Sequence, residues 1–248
     1  MDNESVRLDA ARCAELMASA LDRLRLTLAD RLKARAMAVA SAHEVAMPAM
    51  TAAAYLRNVY PNRAFRSRCL LAVFTYQSAD HVTAGLDALL TDGFLERSDD
   101  EQLSLTATGR DLLRDVVAAG DQTAQELWSQ DAEIVARLLP LAERAVAAID
   151  DGGDSFSLMA PSSGNEAQLS SSGRFAELLT ALRFHRFDSH IAAWSTAGLS
   201  LAQIKELAPG KARDAIEAET NLRAGVPYRA LSPEERLELI AGTAALHG

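Results

Sequence analysis

Hydrophobic positions recur at helical spacing along nearly the whole chain. Val6 to about His43 contains neither Gly nor Pro, and Leu16, Leu21, Leu24, Leu28 and Leu32 form a stripe interleaved with Arg and Asp. This predicts one long helix, or two, whose apolar side meets the helices that follow or a second subunit. Pro48 is expected to end it, with a short helix over Thr51 to Val59 before Pro61. After residue 106 the pattern is helical again from Ala107 to Ile149, with breaks predicted at Gly120 and Pro140.

Between these stretches the period changes. Ala64 to Phe74 reads as a helix, Tyr76-Gln77 as a break, and Ser78 as the cap of a second helix running to Thr91, with Gly93 just past its end. Phe94 to Arg97 reads as a strand, Ser98 to Glu101 as an acidic turn, and Gln102 to Leu105 as the returning strand, alternating polar and apolar. In the helix after Ser78, Val82, Leu86, Leu89 and Leu90 share the core face, which leaves Asp80, Ala84, Asp87 and Thr91 outside. The fold class expected is therefore mainly α: a winged helix-turn-helix with a two-stranded wing and long flanking helices, followed by a C-terminal helical domain.

Gly85-Leu86-Asp87-Ala88-Leu89-Leu90 with Gly93-Phe94-Leu95, then Leu105-Thr106-Ala107-Thr108-Gly109-Arg110, resembles the segment from recognition helix through wing in MarR-like winged-helix regulators. The resemblance implies a homodimeric transcription factor over residues 1–150, with double-stranded DNA as partner and the second helix in the major groove. The DNA-contacting residues it implies are Arg63, Arg66, Arg68, Ser78, His81, Thr83 and Arg97, with Arg57 in the same basic run.

Charge works against that picture. The chain carries a formal net charge of −9, and residues 47–115 hold seven arginines against nine carboxylates. Asp99, Asp100 and Glu101 occupy the expected wing tip, where phosphate contacts would call for Arg or Lys. The alternative is that the winged helix serves only as a scaffold for dimerisation or protein contacts, in an enzyme or a small-molecule-binding protein.

Asp150 to Gly173 is rich in Asp, Gly and Ser and reads as a linker over 151–173, with a short strand expected at Ser155 to Ala160. Beyond it, the domain expected at 174–248 contains Leu182-Arg183-Phe184-His185-Arg186-Phe187-Asp188-Ser189-His190, on a helix ending before Gly198. With Ala197-Gly198-Leu199 and Glu219-Thr220-Asn221, this stretch resembles a little-characterised group of actinobacterial helix-turn-helix proteins. Arg186, His190 and Trp194 fall one per turn on a shared face, and His185 lies one turn from Asp188. Acid/base catalysis could pair Asp188 with a histidine and add Glu217 or Glu219 from the later helix, but no nucleophile elbow, phosphate loop or cofactor fingerprint accompanies them, and two other readings stand ahead of it. In one, His185, Arg186, Asp188, His190, Trp194 and Asn221 line a pocket for a small-molecule effector, with Asp188 fixing the tautomer of His185. In the other they form a buried polar network joining this helix to the one at 211–223, Arg to Glu and His to Asn221. His185 and His190 point about 140° apart on a helix, so they are poor joint ligands and no metal is expected.

Ser200 with Gln203 and Ser232 with Glu235 are capping boxes, and Pro209-Gly210 separates two helices. The two cysteines, Cys13 and Cys69, lack metal-binding or disulfide spacing. No cofactor fingerprint is present. No apolar run approaches the ~20 residues of a membrane span, and the N-terminal residues are acidic, so a cytoplasmic protein without membrane contact is expected.

Overall fold

The computed structural model describes residues 3–77, 79–161 and 169–248. Among them it has eleven α-helices and one small antiparallel sheet of three strands. No helix among these residues is long and apolar enough to cross a membrane.

Helix α1 (Asn3–Ala42) is a single helix of 40 residues, about 60 Å long at 1.5 Å per residue. Its buried stripe is Ala10, Cys13, Ala14, Met17, Leu21 and Leu24, stepping by three and four. Leu16, expected in the stripe, is exposed, and Leu28 and Leu32 are only half-buried. The stripe is filled from within the chain, by the later helices. Helix α1 ends several residues before Pro48, which occupies the first turn of α2 (Met47–Tyr55) instead. There its missing N–H costs nothing, because first-turn donors have no intrahelical partner.

A turn of 3₁₀ helix (Arg57–Val59) leads to β1 (Phe65–Arg66), α3 (Ser67–Val73), α4 (Ala79–Thr91), β2 (Leu95–Arg97) and β3 (Gln102–Leu105). The sheet order is β1-β3-β2, with Phe65 opposite Leu103 and Leu95 opposite Leu105. The helix expected from Ala64 starts three residues later, because Phe65 and Arg66 take backbone partners on β3. The strand pair expected as a wing thereby gains a third strand. Two glycines permit the close packing of this region. A Cβ on Gly85 would stand 2.4 Å from the Pro48 carbonyl oxygen, and one on Gly109 would stand 1.9 Å from that of Phe94. Ser78 lies outside the described residues.

Thr106 caps α5 (Ala107–Leu127), accepting from the Gly109 N–H at 3.0 Å. Neither predicted break occurs: Gly120 is inside α5, and Pro140 is inside α6 (Ala132–Ala147) on its exposed side. The break falls between them, where the far end of the chain fixes it. Buried Trp128 donates its indole N–H to the His247 carbonyl, and Asp131 accepts from the His247 N–H and pairs with its ring at 2.7 Å. Because Gly120 sits mid-helix and a Cβ there would meet nothing within 4 Å, Gly120→Ala is expected to stabilise the protein by about 1 kcal/mol. Thermal denaturation checks this, and a lower melting temperature would contradict it.

The expected strand at 155–160 is instead helix α7 (Gly153–Met159). Both of its ends are capped from distant sequence. The Asp188 carboxylate accepts from the Phe156 N–H at 2.7 Å, and the Arg63 guanidinium donates to the Leu158 and Ala160 carbonyls. A two-residue alternation carries no trace of either partner. Residues 162–168 of the expected linker lie outside those described. Then follow α8 (Ser171–Thr196), α9 (Leu201–Glu206), α10 (Lys211–Ala224), a 3₁₀ turn (Val226–Ala230) and α11 (Pro233–Ala245). Both capping boxes form as their sequences indicate.

Helix α8 is the element on which the rest converge. Its Phe184 joins the core built by α2, α3, α4, α5 and the sheet. Its Phe175, Leu178, Leu179 and Leu182 join a second core with α1, α6 and α11. Residues from before and after the 151–173 stretch therefore share both cores, and the boundary visible in the sequence does not separate two hydrophobic units.

Candidate functional site

The basic residues expected to meet DNA are distributed unevenly. Arg63 is turned inward, capping α7 as above, and burial pushes its guanidinium pKa down. Arg57 is largely buried and donates to Glu177 at 2.6 Å and to the Ala54 carbonyl at 3.1 Å. Arg68 pairs with Asp154 at 3.2 Å, and Arg97 with Glu101 of the β2–β3 turn at 2.5 Å. Arg66 is exposed with no ion-pair partner among the described residues. On α4, His81, Thr83, Ala84, Asp80 and Asp87 are exposed, so the face expected outside is outside, and it is acidic.

The six residues singled out on and near α8 divide into two groups. On one side, Arg186 donates to Asn221 at 2.6 Å and lies 3.3 Å from Glu217 of α10. His190 Nδ1 meets the Thr220 hydroxyl at 3.1 Å, and that hydroxyl donates to the Ile216 carbonyl. Thr220 therefore accepts, His190 carries its proton on Nδ1, and Nε2 presents a lone pair. Burial lowers the His190 pKa, which keeps the ring neutral at pH 7. Arg186, His190, Glu217 and Thr220 border a small groove of about 160 Å³ against Asp22 of α1. Trp194 is not on this groove: its indole donates to the Tyr76 hydroxyl at 2.8 Å, tying α8 to the segment between α3 and α4.

On the other side, His185 and Asp188 do not pair. Asp188 is used at the start of α7, and its pKa is raised to about 6, chiefly by burial. His185 is buried against Phe156 with no hydrogen-bond partner on either ring nitrogen among the described residues, and burial lowers its pKa. The expected Asp188–His185 contact thus gives way to the stronger demand of α7's orphan N–H groups. The cluster joins α8 to α10 through Arg186–Glu217 and His190–Thr220 and to α7 through Asp188 and the Phe156 N–H, with Asn221 serving Arg186 rather than a histidine.

A larger cavity lies elsewhere. It has a volume of about 470 Å³ and lies between the second half of α1, α2, α5 and α8, open on one side. Its walls are mostly aliphatic and thioether groups, including Leu28, Leu32, Met50 and Met159, with Tyr55 and Phe184 at the α8 side. Met37 and Met47, both more than half exposed, also line it. The Arg57–Glu177 pair spans from α2 to α8 beside it, and Asn58 reinforces that bridge by donating to Glu177 at 2.8 Å and to the Met159 carbonyl at 2.9 Å. The sequence offered no motif for this site. Leu28 and Leu32 were visible only as part of a helical stripe, and the other walls come from helices far apart in the chain.

The chain matches no protein-family model, no curated protein and no solved structure.

Proposed function

We propose that the protein binds a small, largely apolar molecule in the cavity between α1, α2, α5 and α8. In this reading residues 47–105 are a winged-helix-type module that serves as one wall of the binding site, and α8 is the other. The observation that carries it is the cavity itself. A concave site of several hundred Å³ with apolar walls and few polar groups is the usual form of a small-molecule site, and unbranched Met side chains adapt to varied occupants. The winged-helix assignment is supported by the order helix, strand, helix, helix, strand, strand with sheet order β1-β3-β2.

A second reading, a homodimeric DNA-binding regulator responding to that ligand, is favoured by the same element order and by Arg66, which stands exposed without an ion-pair partner among the described residues. The commitments of Arg57, Arg63, Arg68 and Arg97 weigh for the first. Phosphate neutralisation supplies most DNA affinity, and four of the five arginines already serve carbonyls or carboxylates.

Thermal denaturation against a panel of apolar compounds tests the first reading. A ligand at a hundred times its Kd is expected to stabilise by about 2.7 kcal/mol. Ala176→Phe, which fills the cavity from α8, is expected to abolish the shift. A gel shift at low salt with the DNA upstream of the protein's own coding sequence, together with sedimentation, tests the second. No retardation is expected. Retardation by a dimer that weakens steeply with salt and is lost in Arg66→Ala would replace the first reading with the second.

A further inference from the structure

The polar groups lining the large cavity are almost all spoken for. Arg57 and Glu177 hold each other. Asp121 accepts from the Ser170 N–H and hydroxyl at 3.1 and 2.6 Å. Thr123 and Thr180 donate to carbonyls one turn back on their own helices. Lys33 is an exposed rim residue paired with Asp30. Arg25 is different. It lies half-buried on α1 at the cavity wall, and it has no hydrogen bond or ion pair among the described residues. Its Nε–H is buried without an acceptor.

A buried donor on a permanent cation is costly to leave unmet, so the site needs an acceptor, and an anionic one fits best. The surrounding charge agrees. Arg183 of α8 is close enough for the Arg25 charge to help burial in lowering its pKa. Arg183 has its own carboxylate, Asp22 at 3.1 Å, and its guanidinium stacks over Phe184 and Phe187 at 4.9 and 5.5 Å from the ring centroids. The one carboxylate beside the two guanidinium groups is thus taken by Arg183 and leaves Arg25 unpaired, and Phe184 belongs both to the cavity wall and to the Arg183 stack. The walls beyond are flexible aliphatic and thioether chains rather than a flat aromatic slot.

We infer that the ligand is an unbranched aliphatic carboxylic acid, its carboxylate held by Arg25 and its tail extending between α2 and α8. This rests on the reading of the cavity as a binding site, and its test separates the two. Titration calorimetry at pH 7.5 compares dodecanoate, below its micelle-forming concentration, with dodecan-1-ol, below its solubility limit, on the full chain.

The wild type is expected to bind the acid about tenfold or more tightly than the alcohol, the gain of one charge-assisted contact. In Arg25→Gln the two should converge on the affinity of the alcohol, while Arg25→Lys should keep a preference for the acid. Melting curves followed by circular dichroism establish that each variant is folded, which is expected because Arg25 holds no other side chain or carbonyl among the described residues. Equal binding of acid and alcohol by the wild type, or a preference for the acid that survives in Arg25→Gln, overturns the carboxylate assignment and leaves the cavity reading standing. Binding of neither ligand, or binding of both that persists in Ala176→Phe, overturns the cavity reading as well.

Discussion

Glu177→Ala is expected to lower stability by about 3 kcal/mol, the lower end of the cost of stripping one partner from a buried ion pair. Its carboxylate receives the Arg57 Nε–H at 2.6 Å through one oxygen and the Asn58 Nδ2–H at 2.8 Å through the other. Arg57 and Glu177 are 19% and 14% exposed, and Asn58 is 1% exposed, so water does not replace the lost acceptor freely. Arg57 would keep the Ala54 carbonyl and Asn58 the Met159 carbonyl, which holds the loss below the upper end of the range. For a chain of this size the melting temperature should fall by roughly 10 °C. The double change Arg57→Leu with Glu177→Leu should recover much of the loss, because it removes the charge that Glu177→Ala leaves behind. Unfolding should remain a single transition, since α8 contributes to both hydrophobic cores. Two separated transitions would show that the halves of the chain fold independently, and a change within 1 kcal/mol of zero would show that the pair behaves as a surface salt bridge.

What could be read from the sequence was what local signals decide. The periodicity of Val82, Leu86 and Leu89 placed α4 and its outward face, the alternation of Gln102 to Leu105 marked β3, and Thr106, Ser200 and Ser232 marked helix starts through side chains that reach only three residues. The misread elements were each decided by a distant partner. β1 exists because β3 offers Phe65 and Arg66 a ladder, α7 because Asp188 and Arg63 cap it, and the α5–α6 break falls where His247 returns to Asp131. The polar helix was conspicuous by composition, yet the partners of its residues depended on α7 and α10. The cavity was illegible for a related reason. Leu32 read as one position of a helical stripe, Met50 as part of a connection and Gly120 as a break, and only the packing of four helices leaves a space between them.

Asp188→Asn is expected to raise the melting temperature at pH 7.5, an unusual result for a change at a helix start. The carboxyl pKa rises from the ordinary 3.8 to about 6, with burial as the main cause. Between about pH 4 and pH 6 the folded chain keeps a proton that the unfolded chain has released, so stability falls as pH rises through that window and stays lower above it. Two units correspond to about 3 kcal/mol. The asparagine cannot ionise, and its side-chain oxygen still accepts from the Phe156 N–H, so the variant should gain about 2 kcal/mol above pH 6, once the weaker neutral acceptor is allowed for. The gain should shrink as the pH falls toward 4 and vanish below the ordinary 3.8, where the wild-type carboxyl is protonated in both states. His185, one turn away on α8, works in the opposite direction. Its lowered pKa means that the unfolded chain takes up the proton first below the ordinary 6.5, so stability falls with acidification. In the wild type these two slopes partly cancel, and in Asp188→Asn the His185 slope should stand uncovered. Asp188→Ala supplies the contrast: it also removes the charge but leaves the Phe156 N–H without its acceptor, at a cost of about 1–3 kcal/mol. Melting curves of the three proteins from pH 4.5 to pH 8 decide the matter. If Asp188→Asn proves less stable than the wild type at pH 7.5, then the negative charge at the start of α7 stabilises that helix by more than its burial costs, and helix-terminus electrostatics rather than desolvation governs this carboxylate.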